Sequence, residues 1–361
     1  MQRFDSILKS AASAGATTLG KYGEHFLMMV IDSGVKLDDD QAFLMSRSLE
    51  LQWAKVIERK LADLPLATGT DFLPAAPPVD EGAKSYHYSL RDAQGRARWG
   101  AGRSRDGLPT SSVSGAEMTG RMQLIEGGLS FSREDMRNAR FAGRPIEPAL
   151  KGASLRAQVE LWDEALAWGR ESLALLGLFN HPNISIISAS DIGGGVTSFR
   201  SKTIDQVLED IAQLVNAIPT VTNELMHATK VLMSPRLGRY LRQKRLGGDN
   251  GKTTFWSQII EVFTSGGADV PAPAFPVEFA EVRYLDASNT RSRGHLGNSD
   301  ALFAYVHNDP DVAARVSSFL GRALPPEQNG FMTDVAVESK VGGIEVAQPL
   351  CLARMDGVFA G

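Results

Sequence analysis

One cysteine in 361 residues excludes an internal disulfide and any cysteine-rich metal site. Cys351 lies in the apolar run "PLCLA", where a thiol serves as a small buried hydrophobe, and a reducing compartment is expected. Long hydrophobic runs are missing too. The longest, "FLMMVI" at 26–31, falls far short of the roughly 20 residues a spanning helix needs, so no membrane partner is expected. "MQRFDSILKS" at the start is polar and helix-like, which reads as no secretory leader. Charge of one sign is scarce as well: 38 Lys and Arg against 42 Asp and Glu leave a net charge of −4, with no broad basic field to hold a polyanion. Six histidines stand singly, without an H-x-x-x-H pair, so a zinc site would have to be gathered from distant segments, and none is expected.

What is present suffices for a folded protein. Apolar residues make up 43% and charged residues 22%, a globular balance, and the length allows two or three compact units. Residues 1 to about 36 read as an arm, followed by a helix with Asp38 as cap and Phe43, Leu44, Leu51, Ala54, Ile57 and Leu61 at helical spacing. "FLPAAPPVDEG" is a Pro-rich extended strap. Tyr86, Tyr88 and Leu90 alternate onto one face, and Ala97 and Trp99 do so on a return strand, which predicts a β-hairpin turning at "RDAQGR". "MQLIEGGLSFS" predicts a strand pair. Ser132 and Asp135 form a capping box for a short helix.

The longest periodic segment runs over 149–176 through Leu150, Ala153, Ala157, Leu161, Ala165, Trp168 and Leu175, roughly 40 Å of helix with Gly177 at its end. Further on, Thr203 and Gln206 cap a helix stopped by Pro219. "ATKVLMSP", "VEFAEVRYL" and "DALFAYVH" read as strands, "RLGRYLRQ" and "TTFWSQIIEVF" as helices. Asp309 and Pro310 open a predicted helix "DVAARVSSFLG", and "GGIEVAQPLCLARM" is a last strand. Mixed elements without strict βαβ order predict the α+β class.

Two glycine loops raise the possibility of phosphate binding. "GGDNGKTT" at 247–254 lacks the G-x-x-x-x-G-K-[ST] spacing and follows a basic helix rather than a buried strand, so a surface turn fits better. "DIGGGVTS" at 191–198 has Ser198 where a dinucleotide fingerprint wants its last glycine, and also reads as a turn. The acidic cluster "LDDDQ" sits at a helix start, where the helix dipole favours it without a metal. There is no G-x-S-x-G elbow for nucleophilic catalysis. No catalytic, cofactor or metal residues are expected.

"LALLGLFNHPNI" at 173–184, a long helix running into Gly-Leu-Phe-Asn-His-Pro-Asn, resembles the major capsid proteins of tailed bacteriophages, the Hong Kong ninety-seven fold that encapsulin shells share. "YSLRDAQGRARWGAGRSRDGLPTSSV", "LSFSREDMRNARFAGRPIEPALKGA", "FAYVHNDPDVAARVSSFLGRALPPEQNGF" and "SKVGGIEVAQPL" are similar to that family's segments in the same order, so the likeness covers roughly 50–358. It implies an N-terminal arm (1–64) and an extended β-hairpin loop (65–120) whose 80–107 portion lies over a neighbouring subunit. It further implies a peripheral domain (121–184 and 336–361) with a spine helix at 149–176, and an axial domain (185–335) in which "GGDNGKTT" is an exposed turn. A structural protein is implied: hexamers and pentamers of an icosahedral phage or prophage head in the virion, assembled in the bacterial host cytoplasm with portal, scaffold and decoration partners, enclosing packaged double-stranded DNA, and no cofactor. Arg96, Arg98, Trp99 and Arg103 are the expected inter-subunit contacts, Trp99 as buried anchor. The alternatives are an encapsulin-like enzyme compartment and a phosphate-binding enzyme.

Overall fold

The computed structural model describes residues 62–69, 71–97, 99, 110–141, 146–246, 253–267 and 271–360. The expected N-terminal arm and its helix lie outside them, apart from residues 62–64. In chain order the elements are α1 (Pro65–Thr68), β1 (Ser85–Gln94), β2 (Ser112–Ser132), α2 (Arg133–Phe141), α3 (Ile146–Trp168), β3 (Ser185–Ser188), α4 (Ile204–Thr222), β4 (Lys230–Met233), α5 (Pro235–Gln243), α6 (Phe255–Ile260), β5 (Glu278–Glu281), α7 (Arg293–Leu296), β6 (Ser299–Tyr305), β7 (Ala313–Ala323), β8 (Glu327–Asn329), β9 (Met332–Val346) and β10 (Leu352–Ala360). The class is α+β.

The strands form two sheets. The first has the order β1-β2-β9-β7, with β8 also on β9, and the second the order β3-β10-β6-β4-β5. Helix α3 is tied to the first sheet by Trp162 Nε1, which donates to the Gly342 carbonyl at 3.0 Å, and Gln158 Nε2, which donates to that of Val337 at 2.7 Å. One apolar cluster joins the end of α3 (Trp162, Leu166, Trp168) to Phe179, Tyr284, Phe303 and Tyr305 of the second sheet's surroundings. Another packs α4, α5 and α6 against that sheet through Ile211, Leu214, Leu237, Ile259, Leu302 and Met355. Each large apolar side chain so buried contributes about 1.5–3 kcal/mol.

The capping signals at Ser132/Asp135 and Thr203/Gln206 are realised as hydrogen bonds. Several other expectations are corrected by tertiary contacts. The spine helix ends at Trp168, because Gly169 takes φ +70° and its N–H returns to the Ala165 carbonyl. Gly177 serves a different purpose: a Cβ there would stand 2.1 Å from the Gly169 nitrogen and 2.3 Å from the Trp168 carbonyl carbon. The chain folds back against its own helix end, and only a residue without a side chain fits. Gly177→Ala is expected to destabilise by about 1–3 kcal/mol or more through this overpacking, measured as a lower denaturant midpoint; an unchanged midpoint would contradict the close approach.

The stripe on α3 also differs. Val159, Trp162 and Leu166 face inward and Leu161 outward, because the buried face includes the hydrogen-bonded polar residues Gln158 and Asp163, which hide its apolar period. "MQLIEGGLSFS" is one continuous strand: a Cβ on Gly127 would meet Gln158 Nε2 at 2.6 Å, so this glycine admits α3 rather than making a turn. Helix α4 continues past Pro219 to Thr222, forgoing one backbone donor, and closes on Asn223 at φ 52°. "DVAARVSSFLG" is strand β7. Asp309 caps a single turn, its carbonyl accepting from Val312 and Ala313, and the four-residue spacing of Val312 and Val316 satisfies both helix and strand periods. Residues 336–361 divide at Pro349: β9 stays in the first sheet and β10 pairs with β3 and β6 in the second.

The strap is covered by its own chain. Arg315 N donates to the Pro74 carbonyl and Ala76 N to that of Arg315, both at 2.9 Å, and Glu81 pairs with Arg322 at 2.6 Å. A proline-rich segment thus covers the outer edge of β7 and leaves few donors for a foreign strand.

Candidate assembly surface

The ribbon made by β1 and β2 runs in antiparallel register from Ser85↔Arg121 to Gln94↔Ser112. The predicted turn at "RDAQGR" is therefore partly ladder: β1 continues through Gln94, and its partner is 112–121 rather than 97–99. Backbone pairing carries the strand through polar residues because both faces are open there and no apolar pattern is needed to hold it.

The base of the ribbon is anchored. Tyr88 Oη donates to the Val346 carbonyl at 3.3 Å, and the Tyr86 and Tyr88 rings stack at 6.4 Å between centroids. Burial, with the nearby Glu345 charge, raises both phenol pKa values, and burial also raises the Glu345 carboxyl. Beyond this base little is covered. Residues 111–119 are all exposed, Val113 to 72%, and Trp99 is fully exposed. Ten residues of strand extend about 30 Å at roughly 3.4 Å each. At the level of the base, His87 Nδ1 also meets Thr119 Oγ1 at 2.9 Å and Glu117 at 3.7 Å.

Of the four expected contact residues, Arg96 and Trp99 are exposed past the end of the ladder, while Arg98 and Arg103 lie outside the described residues. A second exposed apolar group was not foreseen: Phe141 at the end of α2 (97% exposed), Phe331 (79%) and Met332 beside the β8–β9 turn. The Arg133 N–H donates to the Phe331 carbonyl at 3.0 Å, joining the two segments. The signal was legible in "QNGFMT", since Asn-Gly marks a hairpin tip and Gly330 takes φ +63°, so the aromatic after it stands at an end of the sheet.

Polar groups elsewhere are engaged in structure. Asp191 accepts from the Gly193 and Gly195 N–H groups at 2.8 and 3.0 Å, bonds that hold its carboxyl below the usual range; the loop's own carboxylate takes the amides a phosphate would use. The "GGDNGKTT" loop is closed at its base by a bridge between Arg245 and Thr254, and its tip lies outside the described residues. Burial raises the Cys351 thiol, in a turn rather than a strand. Among the described residues no three His, Cys, Asp or Glu side chains gather as metal ligands, and no helix is long and apolar enough to cross a membrane.

Large exposed apolar side chains on a projecting ribbon and at a sheet end suit contact with other chains better than chemistry on a small molecule. Comparison with known proteins agrees. No curated protein sequence matches. Among solved structures, the capsid of Myoviridae phage XM1 is similar over 90% of this chain and 100% of its own, with 16% identity and a TM-score of 0.66. A chain of Mycobacterium phage Ogopogo covers 89% of this one and 99% of its own, at 12% identity and TM-score 0.52. The capsid of a native GTA particle gives 90% and 100%, at 10% identity and TM-score 0.56. The family description Major capsid protein matches residues 95–358, and on that match the chain belongs to the major capsid protein family.

Proposed function

We propose that this structural capsid protein assembles into hexamers and pentamers of an icosahedral phage or prophage head, with the β1–β2 ribbon lying over a neighbouring subunit. The observation that carries the reading is the ribbon itself. A two-stranded ribbon is marginal in water, and this one has Val113 and Trp99 exposed, with no cover from the described residues. Contacts between different patches on successive copies close into rings, the geometry capsomers require. Arg96, Arg98 and Arg103 would pair with carboxylates across the seam while Trp99 fills an apolar pocket.

In this reading α3 with the first sheet is the peripheral part, and the second sheet with α4, α5 and α6 is the axial part. Assembly takes place in the host cytoplasm, with portal and scaffold as further partners, and the head encloses packaged double-stranded DNA. The chain acts by association, not catalysis. Electron microscopy of the expressed protein tests this. Shells, tubes or capsomers are expected, and a dispersed monomer at high concentration would sink the proposal. Closed particles that hold an enzyme and no DNA would favour the compartment alternative.

A further inference from the structure

Segment 235–246 contains Arg236, Arg239, Arg242, Lys244 and Arg245 and no carboxylate, in a chain whose net charge is −4. Two of these cations are committed: Arg236 lies 3.6 Å from the buried Asp300, and Arg242 pairs with Glu281 while resting on the Trp256 ring. Lys244 is committed in another way. Its Nζ donates to the carbonyls of Phe199, Arg200 and Lys202 at 3.3, 3.2 and 3.0 Å, which fastens the 199–202 segment beside α5. That brings Arg200 to the same face. Arg200 and Arg236 each stand 5.0 Å from the centroid of the Phe359 ring, so their guanidinium groups lie within about 10 Å of one another, roughly a Debye length. Arg239 is exposed and bonds only its own helix at Pro235; Arg245 is exposed just past the helix end. Among the described residues, Arg200, Arg239 and Arg245 form no ion pair.

We propose that this face of the axial part, led by Arg200, Arg239 and Arg245, is a contact surface for the phosphate backbone of double-stranded DNA. The inference rests on the proposed shell function, which supplies the DNA. Guanidinium forks match phosphate oxygens bidentately, and Arg200 is held on an aromatic ring, so less freedom is lost on binding. A duplex carries one charge per about 1.7 Å of axis and can engage several of these cations at once. The chain would then tether its contents at one place while leaving them otherwise unheld.

The test uses unassembled full-length protein and a fluorescent duplex of about 20 base pairs, with anisotropy followed from about 50 to 200 mM salt. Salt-sensitive binding is expected. In the variant Arg200→Gln, Arg239→Gln, Arg245→Gln the slope of log K against log salt should fall by about 2–3, with affinity at low salt down at least about tenfold. Lys151→Gln, at an exposed position on α3, should leave the slope nearly unchanged. Equal binding by the triple variant, or no binding by the wild type, overturns the proposal; so does preferential binding of polyglutamate that the duplex cannot displace, which would give the face to an acidic protein. Electron microscopy of the wild-type protein brought to assembly conditions, run beside the binding assay, separates the two readings. Shells without the DNA contact sink this inference alone, and absence of shells sinks the parent function.

Discussion

Asp163→Ala is expected to lower the stability of the unassembled chain by about 3–5 kcal/mol, the largest single effect on folding among the described residues. Asp163 is fully buried on α3 and accepts from the Leu66 and Ala67 N–H groups at 2.9 and 2.8 Å and from Tyr284 Oη at 2.7 Å, with Arg283 at 3.7 Å. It therefore closes the N-terminal end of α1, where Pro65 leaves no donor of its own. Arg315 closes the other end, donating to the carbonyls of Leu66 and Gly69 at 3.1 and 3.0 Å. A carboxylate at one end and a guanidinium at the other hold a four-residue helix that would not form alone. Removal of the carboxylate leaves three buried donors without an acceptor. Denaturant unfolding would measure the loss, and a change below about 1 kcal/mol would refute this account of the site.

The same residue gives a pH dependence whose sign can be checked. Burial raises the Asp163 carboxyl above its ordinary value, against the opposing pull of Tyr284, the two amides and Arg283. The folded chain thus binds this proton more tightly than the unfolded chain. Its contribution is fully present below the unfolded pKa and declines as pH rises through the folded one. Asp163→Asn does not titrate, so its penalty relative to wild type should be larger at about pH 4 than at about pH 7. A penalty that grows with pH would mean the carboxyl is stabilised as an anion instead.

Trp99→Ala should act on assembly and leave folding untouched. The side chain is fully exposed in the single chain, so its removal takes nothing from the core. If it fills a pocket on a neighbour, truncation of such an aromatic anchor costs at least about 2 kcal/mol per contact, which raises the critical concentration for assembly about thirtyfold. Arg96→Ala, at an exposed rim, should cost less than about 1 kcal/mol. Light scattering against concentration would read both. Assembly of the Trp99 variant at the wild-type concentration would remove the anchor from the proposal.

How far the sequence carried the fold can be judged from particular elements. The Ser132/Asp135 and Thr203/Gln206 caps were legible because a cap is a contract between residues three apart, and the "ATKVLMSP" strand because four successive buried residues, Lys230–Met233, lie between turn signals. The order of the family-like segments, from the ribbon through "LGLFNHPN" to the last strands, pointed to the shell family without any contact map. Of the proposed assembly surface, the ribbon was legible and the exposed Phe141 and Phe331 were passed over, although the Asn-Gly turn before Phe331 was in plain view.

What the chain alone determined is thus its class, its local caps and the segment order that marks its family. What only the tertiary structure decided lies where two periods or two roles coincide. Val312 and Val316 fit helix and strand equally until β9 and the strap pair with both edges of β7. Gly177 looks like the helix end, with Gly169 inside the predicted helix, until the returning chain gives the cap to Gly169 and a close approach to Gly177. Asp163 becomes the buried post for α1 because Leu66 and Ala67, 97 and 96 residues before it, and Tyr284, 121 residues after it, converge on it. Local sequence encodes propensities worth about a kilocalorie or less per residue; burial and hydrogen bonding between distant segments outweigh them, and those partners are brought together only by the fold.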